Sequence, residues 1–291
     1  MNELVQLLVN GVSMGCIYGL VALGFILIFN ATGVINFAQG EFVMLGAFLA
    51  VTTLMQWGIP TLPGLLLVAA GMGLAGWLFQ RLAYQPIRDK PLLAIIICTA
   101  MVSAFLKSTA LLVWGPYPMS LSSLLPDSLI VVRGVVLPLQ NLAIIVLTGV
   151  LLLALYLFFF KTQRGLLMRA TAQDFDTARL MGIRVGRTVG ATWVLGALLG
   201  GAAGLLLAPM WNVSIDMGGS VALKAFAACI IGGFGSVPGA VVGGVCVGLI
   251  EILAASYLSS AYKDAVTFLI MIGFLIFVPR GLFGERVSEK A

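Results

Sequence analysis

Histidine is absent from this 291-residue chain, and with it the commonest metal ligand, general base and proton shuttle near neutral pH. Charge is almost as scarce. Asp, Glu, Lys and Arg make up 9% of the residues, and none of the 37 positions from Leu4 to Gly40 is charged. No GxxxxGK[ST] occurs, so no P-loop cradles ATP, and no HExxH exists to hold a catalytic zinc. The four cysteines, Cys16, Cys98, Cys229 and Cys246, lie in apolar runs without a CxxC pair. They read as small buried hydrophobes. No basic region precedes the first apolar stretch, which is far longer than the core of a secretory signal, so no cleavable signal is expected.

Apolar length is what the chain has. Hydrophobic residues make up 61%, and mean hydropathy is +1.12. A bilayer core of roughly 30 Å needs about 20 apolar residues as helix, and lipid admits only spans whose backbone hydrogen bonds close internally. The expectation is therefore an all-α polytopic membrane protein. It should have about eight or nine transmembrane segments, short loops, and one membrane domain over residues 1–291. The pI of 9.2 does not signal nucleic acid, because the cations sit in loops between spans.

Spans are expected near 4–29, 41–57, 61–80, 92–114, 138–160, 189–209 and 264–279. The region 221–258 is discontinuous: its first piece runs from Val221 to Ile231, it breaks at Gly232-Gly233-Phe234-Gly235-Ser236-Val237-Pro238, and it resumes at Gly239 and runs to Leu258. Twelve of the 16 Lys and Arg fall in three segments, 81–91, 161–187 and 280–290. The positive-inside rule makes these cytoplasmic. Counting back three crossings puts the N-terminus outside, and makes 115–137 the largest external loop.

Two places break helix rules at membrane depth. One is Asn30-Ala31-Thr32-Gly33 followed by Val34-Ile35-Asn36-Phe37-Ala38-Gln39-Gly40-Glu41; the other is Gly232–Gly239. Non-helical backbone at that depth belongs in protein or beside a watery cavity. The two resemble each other, since Phe37 precedes Gly46 by nine residues and Phe234 precedes Gly243 by nine. Paired interruptions in two halves of a chain point to a transport path. Glu41 admits two readings: a cap on the second helix at the cytoplasmic interface, or a pathway or interhelical group. Lys107 and Glu251 are lone charges within spans, and each is a candidate partner for the other. The glycines at 196, 200, 201 and 204, and at 239, 243, 244 and 248, argue for close helix packing. The segment 161–187 carries Phe175, Ala178 and Met181 every three residues on one side of a short helix, and Gly182 to stop it. Such a helix suits anionic lipid or a cytoplasmic partner.

Several of these stretches resemble the LivH-type permease subunits of branched-chain amino-acid ABC importers. The resemblance lies in the runs from Asn10 to Phe25, from Thr32 to Phe48, from Met168 to Ile183 and from Ile231 to Gly244. It covers nearly the whole chain in order. It implies a bacterial inner-membrane permease working with a second related permease, two ATP-binding subunits and a periplasmic binding protein. The cytoplasmic helix would then dock in the ATPase through Arg169, Ala170, Asp174, Phe175, Ala178, Met181 and Gly182. The first signature maps to Asn36, Phe37, Ala38, Gly40 and Glu41, and the second to Gly232, Gly233, Gly235, Pro238 and Gly239; both are expected along the path, with Gln39 beside the first. Of the EAA loop of other importers, only Ala178 followed by Gly182 is echoed. The resemblance leaves cargo open among branched-chain and other small amino acids, urea and short amides. No cofactor, metal or catalytic residue is implied. A different class of reading is a self-sufficient secondary transporter or channel that uses Glu41, Lys107 and Glu251.

Overall fold

Apolar runs that must close their own backbone hydrogen bonds become helices, and helices make up most of this chain. The computed structural model describes residues 2–122, 129–132, 135–278 and 281–283. The order is α1 (Asn2–Thr32), α2 (Gln39–Val51), α3 (Thr61–Leu78), α4 (Leu92–Trp114), β1 (Leu129–Val132) and β2 (Val135–Pro138). Then come α5 (Leu139–Lys161), α6 (Gln163–Gln173), α7 (Phe175–Leu180), α8 (Val185–Leu207), α9 (Met217–Gly232), α10 (Val237–Tyr257) and α11 (Lys263–Phe277). π-Helical turns, Thr52–Gln56 and Phe79–Tyr84, extend α2 and α3. Among the described residues, six helices are long and apolar enough to cross a membrane: α1, α3 with its π-turn, α4, α5, α8 and α10. Helix α2 has 13 residues, 18 with the five of its π-turn, and α9 and α11 have 16 and 15, so on length and apolarity together the count among the described residues stays at six.

The chain divides into two compact units, one of Met1–Ile26, Ser123–Thr148 and Val221–Ala291, the other of Leu27–Ser122 and Gly149–Ser220. In the second unit, α2 and α3 pack on the small-residue stripe of α8. A Cβ on Gly204 would overlap the backbone of Val43, and one on Gly46 would overlap Gly201, so these crossings need glycine on one side or both. Aromatic rings fill the space beside the stripe. Phe79 stacks on the fully buried Trp193 at 4.9 Å between centroids, and Phe42 meets Phe79 edge-on at 5.6 Å.

In the first unit, α1 and α10 interlock through Gly15 and Gly19 against Gly244 and Gly248. Residues 11–15 of α1, Gly-Val-Ser-Met-Gly, match the GxSxG of hydrolases. Here they lie within a continuous helix, and the Ser13 hydroxyl donates to the Asn10 carbonyl at 2.9 Å. The chain has no histidine to activate that serine, so the match is a packing feature.

The stretch 221–258 forms two helices, and the chain leaves the helix between Gly232 and Val237. Helices α9 and α10 form an antiparallel hairpin, with Gly243 against Ala228 and Gly239 against Gly232. Gly233 and Gly235 hold φ of 101° and 94°, which L-residues rarely adopt, and this lets the chain reverse. Ser236 then caps α10, its hydroxyl accepting from the Gly239 amide at 3.2 Å. The last carbonyls of α9 are not orphaned: Leu282 N–H donates to Ile231 O and Phe283 N–H to Gly232 O, each at 2.9 Å.

The loop 115–137 also departs from an all-helical reading. β1 and β2 pair antiparallel from Leu129↔Pro138 to Val132↔Val135, as β-branched residues on both sides favour. The loop's residues 123–128 and 133–134 lie outside the described set.

Four helices of the first unit meet at Glu251. Lys224 of α9 reaches its carboxylate at 2.6 Å and Lys263 of α11 at 3.3 Å, while the Tyr18 hydroxyl donates to its other oxygen at 2.5 Å. Asp264 completes the set, 2.9 Å from Lys224. Removing one partner of a buried pair leaves an uncompensated charge costing about 3–5 kcal/mol, whereas replacing both by apolar groups is often near neutral. Lys224→Met should therefore lower the melting temperature of the purified protein in detergent strongly. Lys224→Met combined with Glu251→Met should recover most of the loss. A double variant no more stable than the single one would show that the network contributes more than mutual neutralisation.

Candidate functional site

The break between α1 and α2 is built by Asn36. Its Oδ1 accepts from the Ala38 amide at 3.1 Å and its carbonyl accepts from the Gln39 amide at 3.1 Å, an Asx-type turn that starts α2. Gly33, at φ 69°, ends α1. The turn brings Asn36, Gln39, Gly40 and Glu41 into the interior, while Phe37 stays half exposed.

Helix α4 grips this turn with one face. Thr99, Ser103 and Lys107 recur every four residues, the spacing that stacks side chains on one side of a helix. The Phe37 amide donates to Thr99 Oγ1 at 3.3 Å, and Ser103 donates to Glu41 Oε1 at 2.8 Å. Lys107 Nζ lies 3.9 Å from Glu41 and 3.7 Å from Asp216. Helix α8 supplies the opposite support, as Gln39 Nε2 donates to the Gly196 carbonyl at 3.0 Å. The first turn of α9 closes in from a third side, where a Cβ on Gly218 would lie 2.6 Å from the Gly40 carbonyl oxygen.

Elements of both readings of Glu41 are present: it stands in the first turn of α2 and bonds across to α4. Ser103 is the twelfth of the 23 residues of α4, counting Leu92 as first. Gly196 is the twelfth of the 23 residues of α8, counting Val185 as first. Gln39 and Glu41 therefore lie in the first turn of α2 and beside the midpoints of two helices long enough to cross a bilayer, so the N-terminal end of α2 that carries Glu41 is at mid-helix depth of α4 and α8. Among the described residues, Asn36 Nδ2, Gln39 Oε1 and Glu41 Oε2 are buried without a hydrogen-bond partner. One donor and two acceptors within six residues, at mid-helix depth, match a small polar solute or water.

The expected pairing of Lys107 with Glu251 is not formed. Lys107 pairs with Glu41 and Asp216, and Glu251 with Lys224 and Lys263. The polar stripe on α4 is the signal that would have located the first partner. Lys224, eight residues into a short apolar helix, is the corresponding signal for the second.

The segment 161–187 forms two short helices. Thr162 caps α6, its hydroxyl accepting from the Gly165 amide at 3.1 Å. Arg169 lies with its guanidinium 4.6 Å from the Phe160 ring centroid. Asp174 separates α6 from α7 and caps α7, accepting from the Thr177 amide at 3.1 Å and from its hydroxyl at 2.7 Å. Helix α7 ends in a Schellman motif: Ile183 N–H donates to Ala178 O and Gly182 N–H to Arg179 O, both at 3.0 Å, with Gly182 at φ 79°. Ala178 is buried, but Met181 falls beyond the last helical turn and is 78% exposed, next to Leu180 at 87%. Of the three residues expected on one face, Ala178 is buried, Phe175 is partly exposed and Met181 is exposed just past the end of α7.

Comparison with known proteins adds to this geometry. A family profile described as "Branched-chain amino acid transport system / permease component" matches residues 7–275. The chain is 36% identical to the high-affinity branched-chain amino acid transport system permease protein LivH of Escherichia coli (strain K12), over 98% of this chain and 97% of that one. Identity to the corresponding protein BraD of Pseudomonas aeruginosa is 33%, with the same coverage of both chains. Among solved structures, PsaBC from Streptococcus pneumoniae in complex with Fab aligns with a TM-score of 0.52 at 12% identity. That alignment covers 92% of this chain and 89% of that one, and supports a shared fold only.

Glu41→Gln keeps the shape and the Ser103 contact but removes the charge, while Lys107 retains Asp216. A lost charge-assisted hydrogen bond is worth about 1.5–3 kcal/mol, so transport should fall about tenfold or more while the protein still purifies intact. Uptake in proteoliposomes and elution volume on size exclusion measure the two effects. Wild-type uptake in Glu41→Gln would reduce the carboxylate to a packing role.

Proposed function

From the premise that the chain belongs to the family of branched-chain amino acid transport permease components, we propose that it is the membrane subunit of an ATP-binding-cassette importer. Its cargo is branched-chain or related small amino acids, received from a periplasmic binding protein. It works beside a second, related permease in the bacterial inner membrane, and hydrolysis takes place on two ATP-binding partner subunits. The observation that carries the reading from geometry is the polar turn Asn36–Glu41, held beside the midpoints of α4 and α8 with three buried polar atoms unpartnered. Substrate sites near the bilayer midplane, at interrupted helices, are the pattern of transporters.

In this reading, α2, α9 and α11 complete the membrane domain as shorter segments, raising the number of segments to eight or nine. Asn36, Phe37, Gln39, Gly40 and Glu41 line the path. Gly232, Gly233, Gly235, Pro238 and Gly239 form a rigid turn that transport requires. The three Lys- and Arg-rich segments face the cytoplasm, the N-terminus lies outside, and α6 and α7 dock on the ATPase. The exposed Leu180 and Met181 are the apolar contacts of that docking. Arg169 and Asp174 hold the helix pair in shape. The reading as a self-sufficient transporter or channel that uses Glu41, Lys107 and Glu251 is not favoured, because Lys107 pairs with Glu41 and Asp216 while Glu251 pairs with Lys224 and Lys263, so the three charges do not act as one set.

Co-purification with a P-loop subunit and ATP-driven uptake of labelled leucine from a loaded binding protein test the whole. Uptake that runs without any ATP-binding subunit would overturn it. Two narrower outcomes follow. In a cysteine-free background, an impermeant thiol reagent on intact cells should label Ser122→Cys and spare Thr177→Cys; the reverse pattern inverts the topology. Gly182→Val forces a β-branched residue into the left-handed region, a strain of about 1–3 kcal/mol. It should uncouple ATP hydrolysis from uptake while the complex still assembles. Wild-type uptake in that variant would remove Gly182 from the coupling device.

A further inference from the structure

The second unit holds a cavity of about 1160 Å³ that the transport reading does not use. Its lining includes six arginines from three separate parts of the chain: Arg81 and Arg88 after α3, Arg164 and Arg179 on α6 and α7, and Arg184 and Arg187 at the start of α8. Asp89 is the one carboxylate among the lining residues, and it already meets Arg88 at 3.2 Å. Loop arginines near a membrane are ordinarily solvated individually. Here the fold brings six exposed arginines to the lining of one space, Arg179 among them already engaged, and like charges gathered in this way favour an anion between them.

The opposite end of the same cavity is apolar. Trp77 of α3, Phe158 of α5, and Val194 and Leu195 of α8 line it. On α3 the lining passes from Trp77 to Arg81 in one turn. On α8 it passes from Leu195 to Arg187 in eight residues, about 12 Å at 1.5 Å per residue. Both helices therefore carry the same gradient from apolar to cationic along the cavity. A free anion would use only the cationic end. An amphiphile uses both.

We propose that this cavity binds an anionic phospholipid, with its phosphate among the arginines and an acyl chain along Trp77, Val194 and Leu195. Guanidinium forks bind phosphate oxygens in bidentate fashion, and basic pockets between membrane helices suit anionic headgroups. A half-exposed tryptophan is the residue expected at headgroup level. Because Arg164 lies on α6 and Arg179 on α7, the lipid ties the coupling segment to α3 and α8. The proposal rests on the membrane reading and not on the importer reading, and lipid retention is measured without transport.

The test is native mass spectrometry of the purified complex extracted from membranes containing phosphatidylglycerol and cardiolipin. Arg164→Gln with Arg184→Gln is compared with Lys90→Gln with Lys161→Gln, which removes equal charge outside the cavity. Retained anionic lipid should fall about tenfold in the cavity pair, as two charge-assisted phosphate contacts are lost, and should be unchanged in the control pair. Should the glutamine pair not fold, Arg164→Lys with Arg184→Lys keeps the charge, loses the forks and should still reduce retention. Trp77→Ala should reduce lipid retention while leaving any thermal shift by inorganic phosphate unaltered. Equal retention in cavity and control pairs would overturn the proposal. So would a phosphate shift that accounts for the whole effect with no sensitivity to Trp77. Unchanged lipid with lost ATPase co-purification in the cavity pair would assign the arginines to a protein partner instead.

Discussion

A carboxylate cannot be left alone among apolar helices, and the two most deeply buried ones, Glu41 and Glu251, organise what lies around them. The cost of an isolated ion in such surroundings is large enough that its neighbours must supply opposite charge and hydrogen bonds. Glu251 gathers Tyr18, Lys224 and Lys263, which lie on α1, α9 and α11. Glu41 gathers Ser103 and Lys107 from one face of α4. The difference between the two is instructive. Both oxygens of Glu251 are engaged, one by lysines and one by a phenol, so that site is closed. One oxygen of Glu41 has no partner among the described residues, so that site keeps an open valence. A buried ion network with nothing left over serves cohesion; one with an unmet acceptor at mid-helix depth is where a passing polar molecule finds a match.

The second constraint is backbone. Two segments leave the helix, and each is satisfied from elsewhere in the chain. Asn36 bonds its own turn, and Thr99 takes the Phe37 amide. Leu282 and Phe283 take the last carbonyls of α9. Small residues then allow the helices to approach closely enough for these contacts. Gly46 and Gly243, each nine residues after a phenylalanine in the two interruptions, both lie at such crossings, one against Gly201 and the other against Ala228. The similarity between the two stretches is thus a similarity of packing as well as of letters.

Much of the fold was legible because hydropathy and helix length are local properties. The spans near 92–114 and 138–160 coincide with α4 and α5 to within one residue. The glycine stop at 182 has the left-handed φ that its role requires. What failed to be legible was three-dimensional. Periodicity places a break after Ile231 but does not tell a kink from a reversal, which is set by the positive φ of Gly233 and Gly235. Pairing Lys107 with Glu251 rested on both being lone charges, whereas each had nearer partners on helices whose adjacency no local pattern reveals. The readable clue passed over was the repeat Thr99, Ser103, Lys107: three polar residues on one face of an otherwise apolar helix must meet something polar. The run Leu-Ile-Val-Val followed by Val-Val-Leu-Pro was likewise a hairpin signal, masked by the strength of the helical pattern on both sides.

The composition of the proposed path bears on where selectivity resides. A zwitterionic amino acid carries one cation and one anion, and tight binding would require both to be met by fixed partners. The turn Asn36–Glu41 has a carboxylate oxygen and an amide oxygen to receive an ammonium group, but only an amide nitrogen for a carboxylate. The cation nearest at hand, Lys107, is already shared between Glu41 and Asp216. Such a site meets one end of the cargo and leaves the other poorly solvated, so residence there is short. A permease built this way passes its cargo on without retaining it. In the proposed importer, recognition of the side chain would then fall to the external binding protein, and direction would be set by an ATPase acting through α6 and α7.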